Sequence, residues 1–107
     1  MEEYCRIMII DDEFIMRQGL KHMVEWEKEG FSIVGEAANG REGLEMIPKL
    51  RPHIILCDIV MPGMDGVEFA GILRDKYPEI KLIVLSGYDN FEYVRSDVYK
   101  RQVQDGR

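Results

Sequence analysis

With 107 residues, 46% hydrophobic content and a formal net charge of −6, the chain can bury one core and has too little surface to hide a second. The acidic balance excludes a nucleic-acid surface of its own, because duplex binding is driven by Lys and Arg displacing counterions. Cys5 and Cys57 lie inside apolar runs and not at disulfide or zinc spacings, no run approaches the ~20 residues of a membrane span, and no leader pattern follows the acidic N-terminus. A soluble, cytoplasmic domain without membrane contact is expected.

The first apolar run, Arg6–Ile10, reads as a strand and leads directly into Asp11, Asp12 and Glu13. Leu20, Met23, Val24 and Glu27 then recur at helical spacing. Glu29–Gly30 turns the chain into a second strand, Phe31–Ala37, and Asn39–Gly40 opens a helix carrying Leu44, Ile47 and Leu50. Arg51–Pro52 closes that helix before a third strand, Ile54–Cys57, which is followed by Asp58. The segment Met61-Pro62-Gly63-Met64-Asp65-Gly66 reads as a stiff loop, and Val67, Phe69, Ala70, Leu73 and Tyr77 mark the next helix. Tyr77–Pro78–Glu79 leads into a fourth strand, Lys81–Leu85, and Ser86–Gly87 comes next. A fourth helix capped by Asp89 or Asn90 would carry Phe91, Val94 and Val98. From Ser96 onward the chain is polar and returns to no Val- or Ile-rich strand.

Strict alternation of strands and helices, with nearly continuous apolar strands, indicates an α/β domain whose parallel sheet is covered on both faces, a doubly wound arrangement. In such sheets ligands bind at the carboxyl ends of the strands. Here strand one ends in Asp11, Asp12 and Glu13, and strand three ends in Asp58. Gathered carboxylates repel unless a hard cation neutralises them, which predicts a Mg²⁺ site. A lone acid after strand one would be read as a helix cap, but a cap does not explain Asp58. Ser86 ends strand four and brings a hydroxyl to the same edge, and the stiff loop would hold the Val60 carbonyl near the acids. His22 and His53 fall away from that edge and read as structural or surface residues.

Ile-Ile-Asp-Asp-Glu, Ile-Leu-Cys-Asp-Ile-Val-Met-Pro-Gly-Met-Asp-Gly and Val-Leu-Ser-Gly-Tyr, in this order over about residues 5–95, closely resemble response-regulator receiver domains of two-component signalling. The stretches Gly-Phe-Ser-Ile-Val-Gly-Glu-Ala-Ala-Asn-Gly and Ser-Gly-Tyr-Asp-Asn-Phe-Glu-Tyr further resemble receivers joined to AraC-type output domains. The resemblance implies a flavodoxin-like sheet of order 2-1-3-4(-5), with Asp58 as phosphoacceptor. It also implies Asp12 as a direct Mg²⁺ ligand, Asp11 as a ligand through water, and the Val60 carbonyl completing the protein ligands. Ser86 would bind the phosphoryl oxygens and move toward them, switching the segment after it. It implies a sensor histidine kinase as phosphodonor, a C-terminal DNA-binding output domain and a possible phosphorylation-dependent homodimer. The domain would be no classical enzyme, since it would act only on its own aspartate.

Receivers of this kind end in a fifth strand with a switch aromatic, a Lys-Pro pair and a fifth helix, none of which is visible here. Lys100 lies in the polar segment and does not take over that lysine's role. Residues 1–107 are therefore expected to be a single receiver domain truncated at its C-terminus, with Lys81–Leu85 left as an apolar edge. Three other readings compete. An inert receiver-like interaction module would keep the fold without phosphorylation. A haloacid-dehalogenase-like phosphatase needs a second aspartate two residues after the nucleophile, where this chain has Val60. A flavodoxin needs a Ser/Thr/Gly phosphate loop where Asp11–Glu13 stand.

Overall fold

The computed structural model describes residues 4–58, 64 and 66–85. Its elements follow the sequence pattern closely: β1 (Cys5–Ile10), α1 (Phe14–Met23), β2 (Phe31–Ala37), α2 (Gly40–Leu50), β3 (Ile54–Asp58), α3 (Gly66–Lys76) and β4 (Lys81–Leu85). All strand pairs are parallel and the described sheet has the order β2-β1-β3-β4. β1 and β3 lie inside the sheet, so Ile7–Ile10 and Ile54–Cys57 are buried at every position. On β4 only Ile83 and Leu85 are buried, while Val84 faces outward. Apolar runs covered on both faces and half-covered outer strands are what a parallel sheet with helices on each side requires.

Two clusters form the core. Ile7, Ile9, Ile54, Leu56, Ile83 and Leu85 pack with Leu20, Trp26 and Phe31 on the α1 face. Met8, Ile10, Ile55 and Cys57 pack with Ile47 of α2 and Phe69 and Leu73 of α3 on the other. α2 lies very close to β1, because a Cβ on Gly43 would fall 2.5 Å from Ile10 Cδ1. The start of α2 is fixed by the N-cap Asn39, whose Oδ1 accepts from the Glu42 N–H at 2.8 Å, and by Glu42 Oε1, which reaches back to accept from the Ala38 N–H at 2.7 Å.

The first helix departs from expectation. The helical spacing from Leu20 to Glu27 does not form one helix: α1 stops at Met23, Val24 is extended, and Trp26–Glu29 makes a separate 3-10 turn. The buried Trp26 explains the break. Its indole Nε1 donates to the Leu20 carbonyl at 3.0 Å, satisfying a backbone acceptor left open at the helix end, and its ring meets Phe31 edge-on at 6.1 Å. Gly30 then reverses the chain with φ 88°, a left-handed conformation suited to glycine. The expected fourth helix from Asp89, the polar tail with Lys100, and the question of a fifth strand beside β4 all lie outside the described residues.

Candidate functional site

Three carboxylates meet at the carboxyl end of the sheet. β1 and β3 pair directly, Ile10 opposite Cys57, so the residues that follow, Asp11 and Asp58, emerge side by side. One carboxylate oxygen from each of Asp11, Asp12 and Asp58 lies within 4.8 Å of the others. Their surroundings differ: Asp11 is 3% exposed, Asp58 is half-buried and Asp12 faces solvent. The cluster spans a gradient from core to water.

The simpler reading of these acids as helix caps finds little support. The residue before α1 is Glu13, with no side-chain capping bond to the helix. Asp11 Oδ1 accepts from the Glu13 N–H at 2.9 Å, which shapes the turn between β1 and α1. Burial pushes the Asp11 carboxyl up to about 6. The Glu13 N–H opposes that rise, and the charges of Asp58, Asp12 and Glu13 add to it. Beside them, burial and then the charges of Asp58 and Asp11 push the Cys57 thiol up to about 12, so it remains a protonated core residue. An all-oxygen donor set, one member held back from ionising first by burial and then by its neighbours, suits a hard cation that would relieve the repulsion.

Two side chains that the sequence reading passed over support this arrangement. Arg17 of α1 donates through Nη1 to the Asp11 carbonyl oxygen and through Nε to Glu36 Oε1 on β2, both at 2.6 Å. Lys21 Nζ holds the second Glu36 oxygen at 2.7 Å. Hydrogen bonds from Lys21 and then Arg17 lower the Glu36 pKa. Val60 and Ser86 lie outside the described residues. His22 is exposed on α1, and His53 lies before β3 at the opposite edge of the sheet, where its Nδ1 accepts from the Arg6 N–H at 2.9 Å.

Comparison with known proteins agrees with this fold. Residues 7–105 match the family model of the response regulator receiver domain. The chain is 42% identical over 90 residues to the transcriptional regulatory protein YesN of Bacillus subtilis (strain 168), covering 84% of this chain and 24% of that protein. It is 39% identical over 93 residues to the transcriptional regulatory protein DegU of Brevibacillus brevis, covering 87% of this chain and 39% of that one. The chain thus spans only about a quarter to two fifths of these relatives. Among solved structures, the REC domain of AraT from Geobacillus stearothermophilus superposes with a TM-score of 0.72 at 34% identity, over 87% of this chain and 72% of that one. A two-component transcriptional regulator AraC from Clostridium phytofermentans ISDg gives 0.75 at 28% identity, over 92% of each.

Proposed function

The chain belongs to the response regulator receiver family, and from that premise we propose that Asp58 accepts a phosphoryl group from the phosphohistidine of a sensor kinase. The observation that carries this reading is the meeting of Asp58 with Asp11 and Asp12 at the ends of two adjacent strands. A carboxylate oxygen of Asp58 attacks phosphorus in line, the P–N bond to the kinase imidazole breaks, and an acyl phosphate forms on Asp58. Phosphoryl transfer depends mainly on positioning and charge stabilisation. A Mg²⁺ held by Asp11, Asp12, Asp58 and the Val60 carbonyl would supply the positive charge that lets an anionic phosphoryl group approach an acidic pocket. The Ser86 hydroxyl donates to the phosphoryl oxygens and moves with them, and the added charge of roughly −1.5 to −2 drives the change read by the output.

Residues 1–107 act in this reading as one receiver domain, modified on its own aspartate and not an enzyme in the ordinary sense. Its relatives are transcriptional regulators, which supports a DNA-binding output domain in the whole protein; a homodimer formed on phosphorylation is part of the same proposal. The test is incubation with Mg²⁺ and acetyl phosphate, followed by intact-mass measurement. The wild type should gain one labile phosphoryl that Asp58→Asn does not. A folded wild type that gains none would instead be the inert interaction module.

A further inference from the structure

The peptide that joins Asp11 to Asp12 is pinned from outside the acidic cluster. Its carbonyl oxygen accepts the Arg17 Nη1 bond at 2.6 Å, while Nε of the same guanidinium is tied at 2.6 Å to Glu36 on the neighbouring strand. Glu36 is itself fixed by Lys21 at 2.7 Å and receives a longer bond from Gln18 at 3.4 Å. The Arg17 side chain is only 14% exposed, and its planar fork engages two acceptors on two different strand ends. The orientation of this peptide sets where the Asp11 and Asp12 carboxylates point. It is therefore coupled through one rigid group to α1 and β2.

We propose that Arg17 is a positioning residue for the cation site, holding the Asp11–Asp12 peptide in the orientation that lets both carboxylates face one ion. The inference rests on the receiver reading of that site. A plain structural salt bridge between α1 and β2 would place the same residues together, but the two ideas differ in sign. Removing a cationic group near a Mg²⁺ site should tighten Mg²⁺ if Coulomb repulsion were its whole influence. Losing a group that orients the ligands should weaken it, by about 10- to 100-fold where such supporting contacts have been removed.

The experiment measures Mg²⁺ affinity by calorimetry for wild type, Arg17→Gln and Arg17→Lys, with circular dichroism confirming that each is folded. Arg17→Gln should bind Mg²⁺ about tenfold more weakly. Arg17→Lys keeps the charge but replaces the fork with a single ammonium, so it should fall between the two. In acetyl phosphate labelling, the half-saturating Mg²⁺ concentration should rise in step while the rate at saturating Mg²⁺ is largely retained. Unchanged or tighter binding in Arg17→Gln overturns the proposal, and should that variant not fold, unchanged binding in Arg17→Lys does the same. A wild type that binds Mg²⁺ yet gains no phosphoryl sinks the receiver reading while the Arg17 comparison still decides positioning. A wild type that binds no Mg²⁺ sinks both.

Discussion

Asp11 is the residue on which the metal-free protein spends stability. Its carboxyl titrates near 6 when folded and near 3.8 when unfolded, because burial and neighbouring negative charges disfavour ionisation. The folded state therefore binds more protons than the unfolded state between those values, and stability falls as pH rises through that window. The full shift corresponds to about 3 kcal/mol, and water on the open side of the cluster reduces this to about 1–2 kcal/mol. Asp11→Asn keeps the oxygen that accepts from the Glu13 N–H and removes the charge. In urea unfolding without divalent cations it should gain about 1–2 kcal/mol at pH 7.5 and lose the slope between pH 4 and 6. A variant less stable than wild type at pH 7.5 would refute this account. The meeting of Asp11 with Asp58 was legible in the sequence, since both end apolar runs of one parallel sheet and the receiver resemblance makes those two strands neighbours, as they are. Arg17 was not, because its partner Glu36 is 19 residues away on another element and an arginine on an amphipathic helix looks like any solvated charge.

At the scale of elements, every described strand was readable: β1 and β3 as Ile-rich runs buried at successive positions, β2 and β4 as apolar runs bounded by turn residues although each is only partly buried. The end of α1 was not. Val24 continues the apolar spacing of Leu20 and Met23, yet it stands in an extended conformation, and Trp26 decides the matter by reaching back to the Leu20 carbonyl. Tertiary packing overrides local periodicity there. Trp26→Phe would delete that hydrogen bond, leave the Leu20 carbonyl short of a partner and open a small cavity against Phe31. A loss of about 2 kcal/mol in chemical denaturation is expected. The 3-10 turn should loosen with it, read as faster amide exchange over residues 24–30 while β1 and β3 keep their protection. Uniform acceleration across the sheet would mean that Trp26 serves the core as a whole instead of fixing this one junction.

For the whole molecule, the charge of −6 and the carboxylate cluster act in the same direction, since both penalise the compact state as pH rises. Glu36 acts oppositely. Its pKa is lowered by Lys21 and Arg17, so its contribution is present above the ordinary carboxylate range and is lost as pH falls through its folded value. The metal-free domain is therefore expected to be most stable in mild acid, below about pH 6, and not at neutrality. A cation that binds only the folded state changes this. If Mg²⁺ occupies the cluster as proposed, a concentration about 100 times its dissociation constant at pH 7.5 should add about 2.7 kcal/mol, or a rise of more than about 10 °C in a domain of this size. At pH 5 a carboxyl titrating near 6 is mostly protonated and competes with the ion, lowering the apparent affinity about tenfold. The same Mg²⁺ concentration should then supply only about 1.4 kcal/mol. Thermal melts with and without Mg²⁺ at the two pH values measure this directly, and equal shifts at both would mean that the ion does not bind through Asp11.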